Sequence, residues 1–239
     1  ALVIDGAQGR LLGPLRFAEV RFDGADTRIR ARDIALDWRF GISPERRLIL
    51  PQIGIGALDL SLRPSDTPPA LPADLALPLA LQIDRLQIDR LRLQGWLAQS
   101  AAPAPSLIEI DNIAARLQSD GRHHQLTELR LSTPFGSLNG KATLDGTKPF
   151  TLEATLRAEG EREAKHYVMD ATAHGPLDAL AVNARASGWN LAGEADLAVT
   201  PFSAVPLHRA RVRVGEIDPA AFSPGAPRAA LQAIHRSCG

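Results

Sequence analysis

Leu75 to Leu93 read LALPLALQIDRLQIDRLRL, and the way this stretch alternates decides the fold class. Leu77, Leu79, Leu81 and Ile83 occupy every second position, the period of a strand with one apolar face. The pattern slips by one residue at Asp84-Arg85 and again at Asp89-Arg90. A one-residue slip sends side chains to the other face. Leu86, Ile88, Leu91 and Leu93 therefore rejoin the first face only if bulges absorb the extra residues. A helix over Leu79 to Leu93 is the competing reading, but it would place Asp84 or Arg90 within its apolar stripe and Pro78 near its start.

Working outward, the same alternation recurs. Arg28 to Trp38 carries Ile29 and Ala31, then Ile34, Leu36 and Trp38; Arg47 to Leu62 carries Leu48 and Leu50, then Leu58, Leu60 and Leu62. Glu128 to Ser132 presents Leu129 and Leu131, and Ser137 to Leu144 presents Leu138, Ala142 and Leu144. Phe150, Leu152, Ala154 and Leu156 continue the series, followed by Tyr167 to Ala173, Leu177 to Ala186, Trp189 to Val199 and Ala210 to Val214. Asp5-Gly6, Asp23-Gly24, Asp120-Gly121, Asn139-Gly140 and Asp145-Gly146 favour positive φ and tight turns. Short strands joined by turns at this density predict an all-β chain, a mostly antiparallel repeating sheet rather than βαβ units.

Two segments rich in proline and small residues, 63–74 (RPSDTPPALPAD) and 98–106 (AQSAAPAPS), read as extended surface crossings within one continuous β region over residues 1–224. The remaining 225–239 read as a tail, either disordered or a short helix over Ala226 to Ile234. The start at Ala1 and the polar ending HRSCG read as those of a fragment.

Lys and Arg total 27 against 27 Asp and Glu, a balance without the electrostatic footprint of a nucleic-acid partner. One cysteine, Cys238, rules out an internal disulfide framework and a cysteine-rich zinc site. No cofactor or metal is expected. His123-His124 follow an Asp-Gly turn without further ligands at metal spacing and read as a solvated turn. The run lacks a nucleophile elbow, a P-loop and an H-E-x-x-H helix, and Gly54 and Gly56 open no helix that could cradle phosphate. Asp84 and Asp89, each followed by arginine, read as solvent-facing charges at the slips rather than a catalytic pair. Aromatic content of 5% leaves few platforms for stacking sugars or bases.

Several segments in order resemble the TamB family of AsmA-like Gram-negative envelope proteins. GRLLGPLRFAEVRF (9–22) followed by IRARDIALDWR (29–39) is similar to that family's G-x-L-x-G-x-L ladder and a strand ending in Asp-Trp, here Asp37-Trp38. The IDRLQIDRLRL ladder, TPFGSLNGKATLDG (Thr133–Gly146), HGPLDALAVNARASG (His174–Gly188) and VTPF (Val199–Phe202) resemble its recurring units. The resemblance implies a periplasmic chain, anchored in the inner membrane through a segment not included here, whose sheet curls into a hydrophobic groove. It implies phospholipid acyl chains as guests, an Omp85-type (TamA-like) outer-membrane barrel as partner, and a part in outer-membrane protein assembly and secretion. No catalytic residue carries over, so the expected lipid-facing residues are Ile29, Ile34, Leu36, Leu58, Leu60, Leu62, Leu77, Leu79, Leu81, Ile83, Leu86, Ile88, Leu91, Leu93, Leu129, Leu131, Leu138, Leu144, Leu152 and Leu156. Flexible hydrocarbon suits such a surface, gaining roughly 0.8 kcal/mol per buried CH₂. The alternative is a structural or adhesive β-solenoid or sandwich whose ladders fill a dry core. A hydrolase would need a convergent acid–base pair, which the sequence does not offer.

Overall fold

The computed structural model describes residues 1–10, 13–24, 27–41, 47–62, 70–95, 107–162, 165–188, 191–203, 205–217 and 231–238, and every regular element among them is a β-strand. Two compact units form: Ala1–Asp66 with Ala76–Pro134, and Thr67–Leu75 with Phe135–Gly239.

The first unit contains β1 (Leu2–Asp5), β2 (Gln8–Gly9), β3 (Leu15–Asp23), β4 (Thr27–Gly41), β5 (Arg47–Leu62), β6 (Ala80–Gln94), β7 (Leu107–Ser119) and β8 (His123–Thr133). They form a sheet in the order β1-β3-β4-β5-β6-β7-β8, with β2 also on β3. All neighbours are antiparallel except β5 and β6, which are parallel. A parallel pair cannot be closed by a hairpin and needs a crossover of a dozen or more residues. The residues between Leu62 and Ala80 supply that length, which is why a proline-rich stretch stands there instead of a turn.

The slips in β6 are resolved in two ways. Phe17, Ile34, Ile55, Ile88 and Ile113 are register partners in one row; Val20, Ala31, Leu58, Leu91 and Ile110 form the next. Between these rows each of the five strands advances by three residues instead of two. All carry their extra residue at the same level, so pairing stays in register while the face is kept. Asp33 (φ 54) and Asn112 (φ 52) take up left-handed backbone on this crease. The slip at Asp84-Arg85 is a bulge. Asp84 and Arg85 together face Arg116 of β7, and the register shifts between Ile83 and Leu86. Against β5, Leu50 pairs with Ile83 and Ile53 with Leu86, so Pro51-Gln52 match the extra residues. Of the two bulges expected from the sequence, the one at Asp84-Arg85 forms, and at Asp89-Arg90 the matched extra residues of the neighbouring strands take its place.

The second unit contains β9 (Gly136–Asp145), β10 (Thr151–Arg162), β11 (Lys165–Pro176), β12 (Leu180–Gly188), β13 (Leu191–Val199), β14 (Leu207–Ile217) and β15 (Leu231–Cys238). These pair antiparallel in chain order. Among the described residues no strand pairing closes either unit into a barrel. Phe150, fully buried, fixes the β9–β10 connection: its N–H donates to the Thr147 carbonyl at 2.8 Å, and its carbonyl accepts from Leu177 N–H at 3.2 Å.

Three expectations need correction. Asn139-Gly140 is no turn but lies within β9, where Gly140 sits opposite Leu156, and the turn residues before β9 are Pro134-Phe135, followed by Gly136 at φ 140. Leu77 and Leu79 precede β6: Pro78 has no N–H to give a ladder, and Leu77 N–H is spent on the Gly121 carbonyl at 2.7 Å. The tail, expected to be disordered or a short helix, carries strand β15, because Val214 and its neighbours in β14 offer a free sheet edge to pair with; residues 226–230 lie outside the described residues. So do 63–69 and 98–106, and the described remainder of the first linker, Ala70–Asp74, forms no strand.

Candidate functional site

Each strand separates its two faces, and register aligns like with like. In the first unit one face is built of aliphatic rows. Phe22, Ile29, Leu60, Leu93 and Ile108 form one row, Leu36, Ile53, Leu86 and Ala115 another, and Leu50, Ile83, Leu117 and Leu126 a third. Together with the two rows flanking the crease, these gather Ile29, Ile34, Leu36, Leu58, Leu60, Ile83, Leu86, Ile88, Leu91 and Leu93 of the expected set. Leu81 pairs with Leu48. Leu129 and Leu131 are half-buried positions of β8, and Leu62 ends β5 opposite Thr27. Leu77 and Leu79 stand before β6, with Leu77 exposed.

The second unit pairs Leu144 with Leu152, places Leu138 opposite Ala158, and sets Leu156 between Gly140 and Ala171. Its apolar rows are made of smaller residues: Ala142, Ala154, Ala173, Val182, Leu197 and Ala210, then Gly140, Leu156, Ala171, Ala184, Ala195 and Val212. Alanine is a weak hydropathy signal, so these alanines, although they lie in segments read as alternating, did not enter the expected lipid-facing set. Nor did Ile53, Ile55, Ile108, Ile110 and Ile113, whose alternation between polar residues was visible.

Coverage of these faces is incomplete. Among the described residues the buried apolar side chains are Ala31, Leu50, Ala80, Ile88, Ile113, Ala115 and Phe150, three of them alanines. Of the expected lipid-facing residues whose side chains are described, only Ile88 is buried, at 8%, while Leu156 is 39% exposed. Most of the rest are half-buried. A half-buried leucine realises only part of the roughly 1.5–3 kcal/mol available from full burial. Trp38 adds an indole Nε1 buried without a hydrogen-bond partner.

The opposite face is charged and largely self-neutralised. Arg92 meets its register partner Glu109 at 2.9 Å, Arg90 meets Asp111 at 3.4 Å, and Arg185 meets Glu194 at 3.2 Å. Arg32–Asp59 at 2.7 Å and Arg30–Glu19 at 3.1 Å continue the pattern diagonally. These pairs are exposed, worth at most about 1 kcal/mol each, so their main effect is to match strands and cancel charge. Asp84 and Asp89 each accept from the glutamine two residues before, Gln82 at 2.7 Å and Gln87 at 3.3 Å. The two histidines take different partners: exposed His123 meets Asp120 at 2.8 Å, and half-buried His124 meets Ser119 at 2.8 Å. The backbone N–H of His123, the His123 ring and the backbone N–H of Arg122 hold the Asp120 carboxyl well below the usual carboxylate range.

Among the described residues no group of histidine, cysteine and carboxylate side chains is placed to hold a metal, and no helix is long and apolar enough to cross a membrane. What the chain presents is a β-sheet protein whose prominent feature is an extended, incompletely covered aliphatic surface. The profile described as "TamB, N-terminal domain" matches residues 62–205, more than half of the chain. The chain belongs to the TamB family, a non-enzymatic family of envelope proteins. The resemblance drawn from its ordered motifs is thereby borne out, although the Gly9-to-Trp38 part lies outside the matched residues. No curated protein and no solved structure matches the chain.

Proposed function

We propose that this chain is a periplasmic part of an inner-membrane-anchored TamB-family protein that shields phospholipid acyl chains on its aliphatic face between the inner and outer membranes. The single observation that carries the reading is the set of registered aliphatic rows left half-buried, with a neutralised charged face behind them. Hydrocarbon is suited to such a surface because its burial is non-directional and needs no polar partner. Family membership supports the envelope setting. It also motivates the wider role, support of outer-membrane protein assembly and secretion together with an Omp85-type barrel.

The test is site-specific photocrosslinking in cells. Benzoylphenylalanine at Leu58 or Leu91, on the aliphatic rows, captures phospholipid, whereas the same probe at Arg92 on the charged face does not. Capture of lipid equally from both faces, or from neither, refutes the reading.

A further inference from the structure

On the charged face of the first unit, charges without an ion-pair partner gather around one depression. Along the bulge line from β4 to β8 lies a depression of about 700 Å³, whose lining includes Asp37, Asp84, Arg85, Arg116, Glu128 and Arg130. Here Arg116 pairs with Glu128 at 3.2 Å and Asp84 with neutral Gln82 at 2.7 Å. Among the described residues, Asp37, Arg85 and Arg130 make no ion pair, although rows elsewhere on this face match arginine to acid. Backbone strain also gathers here, with Glu128 at φ 52 and Asn112 at φ 52 both lining the depression.

The unpaired charges are arranged with a polarity. Asp37 stands on β4, the Asp84-Arg85 bulge on β6, and Arg130 on β8. Four strand spacings of about 4.8 Å separate the two ends by about 19 Å, the length of about six extended residues. An acidic end, a mixed middle and a basic end complement an elongated dipolar ligand, cationic over β4 and anionic over β8. The amides of Gln52, Gln87 and Asn112 line the same depression and suit a peptide backbone.

We propose that this depression binds a short extended peptide segment carrying a basic residue at one end and an acidic residue at the other. The site lies on the face opposite the aliphatic rows and does not depend on lipid binding. The test is an NMR titration of the whole chain at low salt with three end-capped hexapeptides, KGSGSE, KGSGSK and EGSGSE. The mixed-charge peptide binds at least fivefold more tightly than either like-charged one and shifts the amides of Gln87 and Ala114. Arg130→Glu moves the preference to KGSGSK, and Asp37→Lys moves it to EGSGSE; the exposed Arg130 variant decides the matter should the half-buried Asp37 variant not fold. Equal affinity for the three peptides, absence of binding to all of them, or a preference unchanged by Arg130→Glu overturns the proposal.

Discussion

Gly160 shows how much a single missing side chain can decide. It lies in β10 opposite Tyr167, whose hydroxyl donates to the Phe135 carbonyl just before β9. A Cβ at position 160 would run into both that carbonyl and the tyrosine hydroxyl. Gly160→Ala is therefore expected to cost roughly 1–3 kcal/mol, read by chemical denaturation, as overpacking against backbone leaves little room to relax. Tyr167→Phe removes only the hydrogen bond and costs about 1 kcal/mol; a Gly160→Ala variant as stable as the parent contradicts this packing. Asp120 makes the complementary case for charge. Its carboxylate is held by donors on His123 and Arg122, so its folded-state pKa is depressed. The sign follows from linkage: stabilisation by this turn is complete above the ordinary aspartate pKa and is lost as pH falls through the depressed value. Carbon-detected NMR should therefore find Asp120 titrating below about 3.9, and an ordinary midpoint rules the capped turn out.

At the scale of elements, the decisive device is the extra residue. In β6 the two slips repeat as Ile-Asp-Arg, and each lets the aliphatic face continue after a point where plain alternation would have lost it. Removing Arg85 should be far worse than replacing it. Arg85→Ala, at an exposed position, stays within about 0.5 kcal/mol of the parent. Deletion of Arg85 turns Leu81 and Ile83 toward the charged face and breaks the match with Pro51-Gln52, abolishing the cooperative melt seen by circular dichroism. A deletion variant that melts like the parent would show that the register can slide freely. This element was legible in the sequence because its leucines and isoleucines mark the face so strongly; β5 could likewise be bounded at Arg47–Leu62 from alternation alone. Three features were not legible. The parallel β5–β6 pairing depends on where a long crossover returns, which local periodicity does not encode. Asn139-Gly140 carries the composition of a turn, yet the ladder runs through it, with Gly140 paired to Leu156. The alanine rows of the second unit have the spacing of an apolar face without the hydropathy to announce it.

For the molecule as a whole, the question is how a chain with so few buried side chains stays folded. Within each unit the long ladders satisfy backbone hydrogen bonds strand by strand, which lowers the need for a deep core. The apolar rows then contribute in proportion to their coverage. A graded series of aspartate substitutions follows from this. Leu58→Asp and Leu91→Asp fall on half-buried positions, forfeit about 1–2 kcal/mol each and lower the melting temperature by about 2–8 °C, while folding stays cooperative. Ile113→Asp and Phe150→Asp bury a carboxylate where exposure is 8% and 0%, and the chain fails to fold. A sealed interior would erase the distinction, since charge on any row would then be desolvated and all four variants would collapse together. Thermal melts of the four proteins side by side separate the two arrangements. The aliphatic rows can serve a guest only if the first pair survives and the second does not, because a surface that accepts hydrocarbon from outside must also tolerate water when empty.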